Sequence, residues 1–263
     1  MSAAPTVTGV SPNSDSLNGG TTVTITGTGF TGATAVNFNG AGASNIQVIS
    51  DTQITATNPN TGTPGQVNVE VQVQGTWSAT AKLFTYCAPV VTAVSPNSGS
   101  LAGNIPVTIT GQYFTGATAV NFNGAGASNI QVISDTQITA TNPNTGTPGQ
   151  INVEVQVQGT WSAPADLFTY KALPAVTGLS PGKGANAGST AITINGSGFT
   201  RVKSVMFGSN PATNINFVSD AKITATAPAG SGTVDVTVTT SIGTSAICGV
   251  DQFQYASIPL YFN

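Results

Sequence analysis

The chain has no histidine among its 263 residues, and only 6% of them are charged. Without imidazole there is no Ser-His-Asp or Cys-His relay, no histidine-ligated metal and no ordinary general base near neutral pH. Six Lys and Arg against nine Asp and Glu give a formal net charge of −3 and a pI near 4.5. That leaves no basic stripe to neutralise phosphates, so a nucleic-acid partner is not expected, nor is attraction to anionic membrane. No apolar run approaches the ~20 residues that span a bilayer, so no membrane insertion is expected. An ordinary soluble domain carries roughly a quarter charged residues; here Thr, Asn, Gln, Ser and Gly must wet the surface instead. Cysteine is scarce too. Cys87 and Cys248 fall far apart in the sequence, and a bridge needs Cα atoms within about 7 Å. They are read as unpaired thiols, with an intermolecular bridge as the alternative. The opening Met1-Ser-Ala-Ala-Pro5 lacks the basic and apolar regions of a classical signal peptide. Either the chain is a mature fragment with an added Met, or it is made in the cytosol and reaches the outside by another route, such as virion assembly and lysis.

What is present is repetition. Phe30 to Gln66 recurs letter for letter as Phe114 to Gln150, an offset of 84 positions, about the length of one small β domain. Within the first copy, Thr22-Val-Thr-Ile-Thr26 alternates strictly, as a half-buried strand does, with Val23 and Ile25 inward. Gly27-Thr-Gly29 suits a bulge or positive φ, and Phe30 is expected to plug one end of the core. Val36 and Phe38 alternate on the next strand, and Asn39-Gly40 is a two-residue hairpin signal. Two short strands flank Ser50-Asp51-Thr52. The strongest strand is Val67-Asn-Val-Glu-Val-Gln-Val-Gln74, valine on one face and polar residues on the other. Lys82 to Tyr86 closes the unit. About seven short strands, turn signals every 8 to 12 residues and no helical periodicity predict a two-sheet antiparallel sandwich. The expected division is 1–87, 88–172 and 173–255, with an apolar tail at 256–263. The short Pro-containing joints Cys87-Ala-Pro89 and Lys171-Ala-Leu-Pro174 read as stiff spacers. The all-β chain is therefore expected to form an elongated rod.

Certain motifs recur in register in all three units. They are a leading P-x-V-x-x-[VL]-x-P (Pro5 to Pro12), G-G-x-x-[VI]-T-I-x-G-x-x-F (Gly19 to Phe30, with Asn104 and Ser189 in place of the second Gly in the later units), V-x-F (Val36 to Phe38) and a closing F-x-Y (Phe84 to Tyr86). This set resembles the IPT/TIG family of immunoglobulin-like domains. The resemblance implies three tandem Ig-like sandwiches. It leaves function open, because such domains occur in bacterial surface proteins, phage structural proteins, accessory modules of polysaccharide-degrading enzymes, receptor ectodomains and some transcription factors. Fold does not set activity.

No catalytic constellation is legible, and no cofactor or metal site. The acids of the repeats are Asp51 and Glu70, then Asp135 and Glu154. Asp51 is expected to cap its own Ser-Asp-Thr turn, and Glu70 to sit on a wet strand face. The candidate contact residues are Trp77 and Trp161, each in Gln-Gly-Thr-Trp-Ser. Each is expected at a hairpin tip, where an aromatic either stacks on a sugar or neighbouring subunit or folds back over the sandwich end or joint. The third unit has Ile242 in that loop and no Trp. In the tail, Ile258, Leu260, Tyr261 and Phe262 suit an extended assembly strand added to a sheet edge, or a segment packed on the third unit. The expectation is a non-enzymatic structural or display protein, outside the cell or on a virion surface. Its partners would be other structural proteins or copies of itself; the alternative is a carbohydrate-binding or adhesin module.

Overall fold

A computed structural model of the chain describes residues 4–256, all with side chains except Lys82 and Asp166. No helix occurs among the described residues; every regular element is a strand. In domain 1 the strands are β1 (Thr6–Ser11), β2 (Ser14–Ser16), β3 (Thr22–Thr28), β4 (Ala33–Phe38), β5 (Ala41–Gly42), β6 (Ser44–Ser50), β7 (Gln53–Thr57), β8 (Gly65–Val73), β9 (Thr76–Trp77) and β10 (Lys82–Cys87). One sheet has the order β1-β3-β7-β6. The other has β2-β10-β8-β4-β5, with β9 paired to β8. The same sheet orders recur in domains 2 and 3, except that domain 3 has no counterpart of β9.

The alternation seen in the sequence becomes the core. Val23 and Ile25 of β3, Val36 and Phe38 of β4 and Val69 and Val71 of β8 are buried between the sheets, while the Thr and Asn between them stay half-exposed or exposed. Phe84 meets Phe38 edge-on at 5.1 Å, and Tyr86 meets Phe84 at the same distance. In domain 3, Phe207, Phe253 and Tyr255 repeat that ladder. Such edge-to-face pairs add about 0.5–1.5 kcal/mol beyond their burial. Asn39 and Gly40 both take positive φ, 52° and 92°, which forms the tight β4–β5 turn that Asn-Gly favours.

The two glycines before Phe30 do different jobs. Gly29 supplies a φ of 73°. Gly27 is required for space, because a Cβ there would overlap the Thr6 carbonyl of β1 and the tip of the Phe30 ring. The same overlap holds at Gly111, with Val90 and Phe114, and at Gly196, with Ala175 and Phe199. All three phenylalanines are fully buried.

This generates a paired test. Gly27→Ala is expected to cost more than about 2 kcal/mol, as a steric clash in a packed core does. Gly42→Ala, with nothing within 4 Å of the added carbon, is expected to stay within about 0.5 kcal/mol of the parent. Urea unfolding of the two variants, followed by domain 1 amide signals, makes the comparison.

Candidate functional site

Trp77 does not sit at a hairpin tip. The turn is Gln74-Gly75, both at positive φ (48° and 81°), so two-residue closure puts Thr76 and Trp77 on the returning strand β9, with Trp77 opposite Gln72. Ser78 then turns inward, and its Oγ accepts the Val71 N–H at 3.2 Å. Domain 2 repeats this, with Trp161 opposite Gln156 and Ser162 Oγ accepting Val155 N–H. The two indoles remain 39% and 37% exposed. In domain 3, Ile242 occupies a loop closed by Thr240 N–H to Gly243 O at 2.9 Å.

The neighbours of Trp161 make domain contacts. Domain 1 and most of domain 2 belong to one compact unit; the other unit holds domain 3 and the segments 98–102 and 145–149. Within the first unit, Thr160 Oγ1 donates to Gly62 O at 2.8 Å, and Gln158 Nε2 donates to Asn18 Oδ1 at 3.0 Å. Beside them, Gly116 leaves no room for a Cβ against the Asn18 side chain.

Tyr113 adds to this joint. It occupies the slot filled by Gly29 and Gly198 in the other domains and takes a φ of 63°, a conformation that disfavours any residue with a Cβ. Its phenol lies near Cys87 and Ser14 of domain 1. The Cys87 thiol and partial burial push the phenol above its ordinary value, so it stays protonated at neutral pH. Cys87 is half-buried and Cys248 exposed, and both are free thiols.

The carboxylate of Asp51 corrects an expectation. It does not cap its own turn; Ser50 Oγ does, accepting Thr52 N–H at 3.2 Å. Asp51 instead reaches across to the loop before β4, accepting from Gly29 N–H, Thr31 N–H and Thr31 Oγ1 at 3.2, 3.2 and 2.8 Å. The reason is backbone pairing: Gly27 N–H binds Thr52 O and Phe30 N–H binds Asp51 O, which brings the two loops side by side. Asp135 and Asp220 make equivalent contacts to Thr115 and Thr200. Hydrogen bonds from the Thr31 hydroxyl, then from the Thr31 and Gly29 amides, hold the Asp51 carboxyl below its ordinary value. The Thr200 hydroxyl and then the Thr200 amide do the same for Asp220. These aspartates brace loops. Glu70 and Glu154 lie half-exposed opposite Asn37 and Asn121. No group of three metal-ligating side chains occurs among the described residues.

A further surface has no counterpart in the sequence reading. On the edge strand β6, Val48 and Ile49 are 40% and 55% exposed. Val132 and Ile133 in domain 2, and Phe217 and Val218 in domain 3, are exposed at the same place. The strand register slips between Val48 and Ser50, so the pair sits on a bulge that spoils strand addition while leaving the side chains outward. Its only sequence signal is that apolar letters recur there in all three units. The tail residues Ile258, Leu260, Tyr261 and Phe262 lie outside the described residues.

Comparison with known proteins fits this geometry. The IPT/TIG domain model matches residues 5–86, 89–170 and 174–255. The chain belongs to the IPT/TIG domain family. Human fibrocystin-L is 30% identical over 230 residues, covering 84% of this chain and 5% of that protein. The contact site A protein of Dictyostelium discoideum is 26% identical over 227 residues, covering 83% of this chain and 42% of that one. The chain thus spans less than half the length of either curated relative. Among solved structures, the Escherichia coli adhesin FdeC aligns over 97% of this chain and 98% of its own, at 18% identity and a TM-score of 0.34.

Two predictions follow from the joint and the aspartates. Tyr113→Gly restores the residue that the other two domains of the chain carry and removes the phenol together with the Cβ that this φ disfavours. Alkylation of Cys87 should speed up severalfold while Cys248 serves as the unchanged reference; equal rates in parent and variant would refute the contact. The aspartates act on the acid side. Their folded values lie below the unfolded one, near 3.9, so their contribution is fully present above that pH and is lost as pH falls through the folded value. Urea midpoints from roughly pH 5 to pH 2 should fall less steeply in Asp51→Asn with Asp220→Asn than in the parent. The difference should be small, because both carboxylates are exposed and solvent-screened.

Proposed function

We propose that this tandem IPT/TIG chain is a non-enzymatic attachment and display element of a virion or microbial cell surface, working through contact with other structural proteins or with copies of itself. The observation that carries the reading is the exposed apolar pair on the edge strand of every domain: Val48-Ile49, Val132-Ile133 and Phe217-Val218. Domain 3 has drifted in sequence, yet it keeps apolar side chains at this outward position. On a surface with so few charges, repeated apolar pairs favour association. The neutral composition and the missing histidine agree with a protein that holds rather than converts.

A second reading is carbohydrate contact through Trp77 and Trp161. It is favoured by two indoles at matched positions, each more than a third exposed, beside polar Gln and Thr side chains, an arrangement that suits a sugar face.

The readings separate experimentally. Sedimentation velocity of the full chain is expected to show concentration-dependent association that is lost in Ile49→Thr with Ile133→Thr and Val218→Thr. A monomer at all concentrations, or association indifferent to the triple change, would count against assembly through this edge. On a glycan array, retention that disappears in Trp77→Ala with Trp161→Ala would support the second reading, and retention unaffected by it would reject those indoles as the contact.

A further inference from the structure

A cleft of about 280 Å³ opens in domain 1 between the 58–65 loop, the β4–β5 hairpin and the start of β8. Its lining includes Asn39, Asn60, Gln66 and Thr63 together with Pro59, Pro64 and Tyr86. No charged residue lines it. From this lining we infer that the cleft is a binding site for a neutral saccharide, one sugar ring or the end of a short chain. The inference deepens the carbohydrate reading above but assigns the ligand to a lining that includes neither Trp77 nor Trp161.

The loop that forms the cleft is preorganised. Asn58 fixes the loop base by accepting Thr21 N–H at 2.8 Å and donating to Asp15 Oδ2 at 3.0 Å. Tyr86 O–H donates to Pro59 O at 2.6 Å. Burial pushes that phenol up to about 12, so it remains a donor. Thr61 N–H binds Leu17 O at 2.8 Å, and Thr160 of domain 2 donates to Gly62 O. A loop fixed at these points does not have to be ordered when a ligand arrives, which lowers the cost of binding.

The side-chain amides of Asn39, Asn60 and Gln66 make no hydrogen bond with other described residues. Each offers a donor pair and an acceptor, the complement of adjacent sugar hydroxyls, while the prolines suit a C–H face. A phosphate or carboxylate ligand would call for Arg, Lys or a nest of backbone N–H groups, and a hard cation for carboxylates; the lining supplies neither side chain. The volume is at the lower end of ligand pockets, ~300 Å³.

Domain 3 supplies an internal contrast. Its loop is shortened to Pro228-Ala-Gly-Ser-Gly-Thr233, and Asn210 of its hairpin spends its amide on Ala229 O at 3.3 Å. Domain 2 has the same lining letters as domain 1 at Asn123, Asn144, Thr147 and Gln150.

The test is titration of the isotope-labelled full chain with glucose, galactose, N-acetylglucosamine and cellobiose, followed by backbone amide shifts. Saturable shifts are expected at Asn39 and across 59–67 with at least one of these sugars, and none at 228–233. Asn60→Ala with Gln66→Ala should weaken that binding about tenfold or more, whereas Trp77→Ala with Trp161→Ala should leave it unchanged. These substitutions are on exposed side chains, and the dispersed spectrum of each variant verifies its fold. No saturable shift at the cleft with any of the four sugars would overturn the proposal, as would binding that survives the double amide change. Shifts confined to the indoles would overturn the cleft and leave the tryptophan reading standing. Saturation of the cleft by inorganic phosphate alone would overturn the assignment to neutral ligands.

Discussion

In every domain the closing of the sandwich depends on one close approach: the carbonyl of the first strand and the ring of a buried phenylalanine both occupy the space where residue 27, 111 or 196 would carry a Cβ. Because that residue is glycine, β1 can pair with β3 while Phe30 folds back beneath the pair. Interiors are packed densely enough that even one methyl group is felt, so the position admits no other residue without moving β1 or expelling the ring. The next consequence is the loop after Phe30. Its amides point at Asp51, and the carboxylate ties the end of the β6–β7 hairpin to the start of β4. Core packing, sheet pairing and loop bracing thus converge within five residues, Gly27 to Thr31, and do so three times along the chain.

With the scaffold so strongly specified, variation is free to act at its ends. Domain 2 replaces the positive-φ glycine with Tyr113, and the backbone accepts a conformation that disfavours a Cβ. Strain of this kind persists where the surroundings over-determine it. Here the surroundings are Asp135, which accepts the Tyr113 N–H, and domain 1, whose Cys87 and Ser14 lie near the phenol. Across the Cys87-Ala-Pro89 joint the two domains therefore meet through side chains, Gln158 with Asn18 and Thr160 with the Gly62 carbonyl.

Period-two strands were the most legible feature, because alternation is set by the pleat alone: Val23, Ile25, Val69 and Val71 all face the core. The Asn39-Gly40 turn was legible for a similar reason, since its chemistry is local. Asp51 was not, because its partners lie 20 and 22 positions away and the nearer turn offered a plausible local role. Trp77 was displaced from the expected tip to a strand because Gln74, a non-glycine residue, takes the first positive φ of the turn. Val48 and Ile49 have the letters of a core strand. What exposes them is an edge position together with a register slip, and neither is written in apolar periodicity. The amide side chains lining the cleft come from a hairpin, a loop and a strand start that meet only in the folded domain.

The letter-for-letter repeat then acquires a physical reading. Gln74 and Gln158 lie in the same Gln-Gly-Thr-Trp turn, with the same positive φ, 48° and 49°. Yet Gln158 binds Asn18 of the preceding domain, while Gln74 makes no hydrogen bond to another domain among the described residues. Identical segments have been given different work by their neighbours. The Pro59–Gly62 loop shows the other side of that relation, since it is held by Tyr86 of its own sandwich and by Thr160 of the next. A loop of one domain is thus held in part by its neighbour. Duplication supplies that second domain without inventing any new fold.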